Sequence, residues 1–295
     1  MKKLIFRGLG TLQRGAGARP LWGRGFWKLP VLALLIALAF QAWPAAPAPA
    51  AVVQGQLLED LNFRVEFLLW KDVAHARLTL TSLGPGRYRV ELSGEPEGLM
   101  KTFTGQRRDS YQTEMIWRGG KLVPLVYREE SRKNHKRYLK EYRFNYEKGE
   151  LELWQWKEDR GVMMLKWHTA LNRPIQDPLS AFYNYRLGLL GPIKEGETLS
   201  LEGIPYPKPE EIEVRIGPKT EWGRKVMVSI NNHAFANDRG TVFAYLDASR
   251  VPTKAWTDVL KMGTISGELL PGGKPLNGAL PEMARTASPA ARLAD

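Results

Sequence analysis

From Leu61 onward the side chains alternate with a period of two. Leu61, Phe63, Val65, Phe67 and Leu69 fall on one face, and Asn62, Arg64 and Glu66 on the other. Successive side chains of an extended chain point to opposite faces, so this spacing specifies a half-buried strand. Ala74, Ala76, Leu78 and Leu80 repeat the pattern, and Tyr88, Val90 and Leu92 alternate with Arg87, Arg89 and Glu91. Residues 111–117, 122–128, 138–146, 151–157 and 162–168 read as further strands, followed by 212–216, 226–230, 242–246 and 263–269. Gly84-Pro85-Gly86, Gly119-Gly120, Lys148-Gly149 and Arg160-Gly161 supply turn chemistry between them. Helical crossovers are almost absent, which argues against a parallel α/β sheet. The expectation is a mainly β chain: a strongly curved antiparallel sheet or open β-barrel of about a dozen strands.

One segment departs from this period. Asp177-Pro178-Leu179-Ser180 places an N-cap residue before a proline at the first helical position. Leu179, Phe182, Tyr183 and Arg186 follow at helical spacing, so the sequence predicts a short helix over 178–187, ending near Gly188. This helix would pack at the mouth of the sheet, with Asp177 as its cap. Beyond residue 270 large apolar residues become sparse, and 271–295 reads as a disordered tail.

Ten apolar residues, Val31 to Phe40, lie between Pro30 and Pro44. As a helix, Val31–Trp43 would rise about 20 Å, short of the ~30 Å hydrocarbon core of a bilayer. Such a run suits the apolar region of a signal peptide, and Ala48-Pro49-Ala50 offers small residues for cleavage. Residues 1–51 are therefore expected to be a signal peptide, or an inner-membrane anchor if uncleaved, with 52–270 exported to the periplasm. The leader also explains the charge. The chain carries a net +12, but residues 1–50 hold seven basic residues and no acid. The rest is only mildly basic, which undercuts a nucleic-acid partner. The absence of cysteine excludes disulfides, cysteine–zinc sites and a thiol nucleophile.

Catalytic signatures are missing. There is no G-x-S-x-G elbow and no phosphate loop in the exported part, and His75, His135, His168 and His233 do not stand at metal-ligand spacing. No cofactor or metal is expected. Adjacent acids such as Glu129-Glu130 and Glu210-Glu211 point to opposite faces of a strand and form no acid/base couple by themselves. The loop 231–238, with His233 and Asp238, reads as a polar turn or a polar ligand contact. Arg132, Lys133, Lys136 and Arg137 cluster between two strands. They read as a solvated hairpin tip or as a contact for polyanions or lipid headgroups. Trp154 and Trp156 share one face of a strand whose other face carries Leu151 and Leu153.

Several of these residues also carry a family likeness. The segment Asp177-Pro178-Leu179-Ser180-Ala181-Phe182-Tyr183 with Tyr185-Arg186 resembles the D-x-L-S-x-x-Y-x-x-R helix of the bacterial exported DUF3108 family, a domain of unknown function. So do the opening strand pair 61–80 with Tyr88-Arg89-Val90, and the stretch Tyr142-Arg143-Phe144-Asn145-Tyr146, where Asn145 departs from the family's aspartate. The closing stretch, with Asp247, Val251-Pro252 and Gly263-Thr264-Ile265 through Leu269, is similar to the family's ending. The resemblance implies an exported, mostly β protein of the Gram-negative envelope and no established reaction.

The expected role is non-catalytic: a periplasmic binding or envelope-assembly protein holding an apolar or amphiphilic ligand in the β concavity, or meeting an envelope protein. Phe63, Phe67, Trp154, Trp156, Phe182 and Tyr183 would line the site and Arg186 would anchor a polar group. Membrane contact would come only from the N-terminal segment or the basic hairpin. Two alternatives stand beside this: a structural module using a sheet edge, and an envelope hydrolase acting on glycan through two convergent acids.

Overall fold

The computed structural model describes residues 55–134, 136–204, 209–229, 240–259, 263–276, 278–281 and 283. The leader and the loop 231–238 lie outside these residues. The first half holds β1 (Gln56–Phe67), β2 (Trp70–Gly84), β3 (Arg87–Pro96), α1 (Met100–Phe103), β4 (Arg108–Arg118), β5 (Lys121–Lys133), β6 (Lys136–Asn145), β7 (Glu150–Lys157) and β8 (Val162–Ala170). After α2 (Pro178–Arg186) come β9 (Thr198–Gly203), β10 (Glu210–Thr220), β11 (Gly223–Ser229), β12 (Thr241–Leu246), β13 (Pro252–Val259) and β14 (Gly263–Leu269).

All fourteen strands form one sheet in the order β8-β7-β6-β5-β4-β3-β2-β1-β14-β13-β12-β11-β10-β9. From β1 at the centre the strands wind outward as a meander to β8, the chain crosses to the far edge at β9, and it winds back until β14 pairs antiparallel with β1. Among the described residues edges β8 and β9 do not pair, so the sheet is open. It is nonetheless strongly bent. Ten strand spacings separate β5 from β9, about 48 Å on a flat sheet at ~4.8 Å each. Yet one helix, α2, packs against β4, β5 and β9 at once. A helix about 10 Å across can touch both only if the sheet curls around it.

The alternating faces explain the core. Leu61, Phe63, Val65, Leu78, Leu80, Val90 and Leu92 are buried on the concave side with Leu179 and Tyr183 of α2. A smaller cluster joins Ile212, Val214, Ile216, Val226 and Ala244 in the second half. Bulges adjust the phase. In β5 a register shift opposite Glu114/Met115 moves the buried positions from Leu122 and Pro124 to Tyr127 and Glu129. Gly119 and Gly120, at φ 57° and 76°, make the left-handed two-residue turn of the β4–β5 hairpin.

Four expectations need correction. Leu69 does not continue the buried face of β1: the chain turns at Leu68, with φ 55°, and leaves Leu69 exposed. β9 and β13 were not expected as strands, because Thr198–Gly203 is short and β13 opens on a proline, both weak strand signals. The short α1 adds a second helix between β3 and β4. The tail does not lose order at residue 271: Leu280 is fully buried and Leu276 and Met283 pack on the core. Lys274 bridges to Asp60 through both backbone groups. Three apolar side chains spaced along a polar stretch suffice to seat it. Among the described residues no helix is long and apolar enough to cross a membrane.

Candidate functional site

α2 begins with the local chemistry its sequence implies. Asp177 Oδ1 accepts the N–H groups of Leu179 at 2.8 Å and Ser180 at 3.1 Å, while Ser180 Oγ accepts the Asp177 N–H at 3.1 Å. Together with Pro178 at the first helical position, this is a complete capping box. Asp177 is fully buried. Burial pushes its carboxyl up, and the Thr113 hydroxyl, Ser180 and the capped N–H groups offset that only in part.

The rest of the helix is tied to the sheet by polar anchors. Asn184 accepts the Leu122 N–H at 2.9 Å and donates to the Leu122 carbonyl at 2.7 Å, and it also donates to Gln176 at 2.8 Å. The β5–β6 ladder begins only at Val126, so the Asn184 carboxamide replaces a strand partner that β6 does not supply. Two residues on, Arg186 forms an ion pair with Glu59, which also accepts the Tyr183 hydroxyl at 2.7 Å and the Leu276 N–H at 2.8 Å. Glu59 and the Arg186 side chain are both almost fully removed from solvent. Burial and the Glu59 charge raise the Tyr183 hydroxyl well above its ordinary range. One carboxylate thus joins β1, α2 and the C-terminal segment.

The expected lining residues do not form one surface. Phe63 is buried in the core, with Phe67 and Phe182 packed against it. Tyr183 is buried beside Phe182, their rings 5.2 Å apart edge to face. Arg186 is neutralised by Glu59. Trp154 and Trp156 stand on the convex face instead, because Leu151 and Leu153 take the concave one. There Arg143 lies 4.5 Å over the Trp154 ring and Arg137 5.4 Å over Trp156. Arg143 also donates to Glu141 at 2.6 Å. Of the basic hairpin, Arg132 and Arg137 both pair with Glu130, whereas Lys133 and Lys136 are exposed.

A different set of residues comes together on the concave wall, one row beyond α2. Tyr111 stands opposite Glu129, and Glu129 opposite Lys140. Lys140 Nζ donates to Glu129 at 2.7 Å. In the next row Asp109 faces Ser131, and Arg107 Nε donates to Asp109 and to Ser131, each at 3.0 Å. Asp109 and Glu129 are buried, while Lys140 and Arg107 keep about a fifth and a quarter of their side chains exposed, at 20% and 26%. Burial pushes the Asp109 carboxyl up, Arg107 pulls it back, and Glu129 adds to the rise. Burial, with the charges of Asp109 and Glu129, holds the Tyr111 hydroxyl well above its ordinary range. Each acid already has a basic partner, so the pair is an ionic cluster with two polar edges facing outward. The sequence places Glu129 and Glu130 on opposite faces of a strand, without showing which one faces inward or that Lys140 lies across from it. The bulge in β5 turns Glu129 inward. Among the described residues no three His, Asp or Glu side chains cluster as a metal site.

No curated protein matches the chain. Four chains of solved structure match it. One is the crystal structure of a β-barrel-like protein of the domain of unknown function DUF1849 from Brucella abortus. It is 9% identical over 73% of this chain and 97% of that one, with a TM-score of 0.42. The family model described as "Protein of unknown function (DUF3108)" matches residues 62–221, which take in the opening strands, the ionic cluster and α2. The chain belongs to the DUF3108 family.

Proposed function

We propose that this chain is an exported, non-catalytic binding protein of the cell envelope that engages the polar part of an amphiphile on its concave wall. The observation that carries this reading is the Arg107–Asp109–Ser131 and Glu129–Lys140 cluster. Placing four more charged groups in a concavity that already holds the Glu59–Arg186 pair is costly for folding alone. Its partly open Lys140 and Arg107 give a ligand headgroup two donors beside the aromatic Tyr111 and Tyr138. The leader-like residues 1–51 supply the export part of the reading.

The test is native mass spectrometry of the full chain purified from the envelope in mild detergent. A copurifying lipid-like molecule is expected in the wild type and is depleted in Arg107→Ala/Lys140→Ala. A ligand-free wild-type protein, or a ligand retained unchanged by the double variant, would defeat the reading. The same spectra give the mature N-terminus, expected near residue 51.

A second reading has its own observation. β8 is a nine-residue edge strand that no other strand pairs on its outer side among the described residues, and Val162 and Leu165 on it are exposed. Such an edge would accept a strand from an envelope protein. Slowed amide exchange along 162–170 on mixing with a purified partner would support it, and unchanged exchange would remove it.

A further inference from the structure

The large apolar residues left in solvent are unevenly placed. Leu68 is 59% exposed, Leu69 93%, Trp70 54%, Leu99 75% and Phe103 73%. All five lie in the β1–β2 turn, at the first residue of β2 or in the β3–β4 connection, at one end of the sheet. The opposite end is made of the glycine turns at 85–86, 119–120 and 147–149, with Trp222 and the marginally exposed Leu57 as its large apolar side chains in solvent among the described residues. Isolated exposed leucines need no explanation, but five on two neighbouring connections do.

These connections form one built rim. The Glu97 N–H donates to the Val73 carbonyl at 2.9 Å, holding the β3–β4 connection against β2. The Asn134 N–H donates to the Gly105 carbonyl at 3.2 Å, holding the basic β5–β6 hairpin against the same connection. Leu68 is seated on Gly263, where a Cβ would leave it no room, and its N–H bonds the Thr264 carbonyl at 3.0 Å. The apolar tips are therefore held outward by the backbone around them.

The charge around the tips is mainly positive. Lys71 follows Trp70, Lys101 lies between Leu99 and Phe103, and Lys133 and Lys136 crown the adjoining hairpin. All four are exposed, and among the described residues no carboxylate pairs with them. Three nearby acids have basic partners: Asp72 with Arg64 at 3.6 Å, Glu95 with Arg108 at 2.5 Å and Glu97 with His75 at 3.2 Å. Asp258 accepts from the Thr264 hydroxyl and keeps its charge, one acid against the four lysines. Glu158 and Asp159 lie beyond the basic hairpin, at the β7–β8 turn. Apolar tips with a tryptophan, flanked by unneutralised lysines, match the two layers of an anionic bilayer surface: acyl chains beneath negative headgroups.

We infer that this rim docks on an anionic lipid bilayer, with Leu69 and Phe103 entering the acyl boundary and Lys71, Lys101, Lys133 and Lys136 meeting the headgroups. The inference does not depend on a ligand in the concave wall, since it concerns a different surface and uses a different readout.

The chain has no cysteine, so single cysteines can be labelled with a polarity-sensitive fluorophore in the full-length protein. The sites are Leu69→Cys and Phe103→Cys on the rim and Lys148→Cys at the opposite end; all three positions are exposed, so folding is not at stake. With vesicles of phosphatidylglycerol and phosphatidylcholine, the rim labels are expected to shift to the blue and to be quenched by a quencher placed in the acyl layer. The label at residue 148 should not change. The rim shift should be lost with phosphatidylcholine alone, in high salt, and in Lys71→Glu/Lys101→Glu/Lys133→Glu. Three results would overturn the inference. Vesicles could bind with no change at 69 or 103, which assigns binding to the apolar N-terminal run. The shift could persist on neutral vesicles or in the charge-reversed variant. It could also appear without lipid and grow with protein concentration, which assigns the rim to a second copy of the chain.

Discussion

Glu59 offers the sharpest perturbation. It is fully buried and accepts from Arg186, the Tyr183 hydroxyl and the Leu276 N–H, so three separate segments converge on one carboxylate. Glu59→Leu keeps most of the volume and removes every acceptor. Stranding a buried guanidinium costs about 3–5 kcal/mol. Each neutral donor left unsatisfied adds about 1–3 kcal/mol, less whatever water can reach. A single-domain stability of about 5–15 kcal/mol would therefore lose a large share. The partner variant Arg186→Met strands the carboxylate and should cost a similar amount. The double variant removes both charges, so it should lose less than the sum of the two by at least about 2 kcal/mol. Urea denaturation followed by circular dichroism reads these differences, and each kcal/mol should move the melting temperature by about 2–4 °C. Single variants each costing under about 1 kcal/mol, or a double variant equal to their sum, would refute the claim that this pair holds α2 in the concavity.

Other outcomes follow from the same geometry. Asn184→Ala should destabilise by about 2–5 kcal/mol, because it strands both backbone groups of Leu122; Asn184→Asp, which keeps only the acceptor, should not restore it in a denaturant titration. Asp177→Ala should cost about 1–2 kcal/mol as a lost cap, whereas Asp177→Asn keeps the cap. The Asp177 carboxyl is raised in the folded state, so the fold binds more protons than the unfolded chain above the ordinary aspartate range. Wild-type stability should therefore fall relative to Asp177→Asn as pH rises through that raised value, and parallel curves from pH 3 to 8 would contradict this. Glu141 has the opposite sign. Burial raises its carboxyl, but Arg128 and Arg143 more than offset this and leave it below its ordinary range. Its stabilisation, about 1–2 kcal/mol after screening of the half-exposed arginines, is present at neutral pH. It should vanish relative to Glu141→Gln as acid melts pass below the lowered value.

The strand alternation and turn glycines made most of the sheet legible, since period two and tight turns are local properties. The α2 cap was legible for the same reason: Asp177, Pro178 and Ser180 act within one turn. A shared strand face did not define a binding surface. Trp154 and Trp156 share a face, as the spacing says, but that face is the convex one. Alternation sorts residues into two sets without saying which set is inside. The ionic cluster escaped for a related reason, because the bulge in β5 reverses the phase between Pro124 and Tyr127 and carries Glu129 inward.

The amino-acid order by itself determined an antiparallel β chain, a capped helix in its middle, an apolar N-terminal run and a family likeness, each set by neighbours within a few residues. Only the tertiary structure decided that β1 pairs with β14, that the sheet curls around α2, and that Glu59 meets Arg186 across 127 positions. It also decided which side chains stayed outside, and so gathered Leu69 and Phe103 on one rim. Those facts depend on which distant surfaces leave water together, and burial between remote segments leaves no period in the sequence from which it could be read.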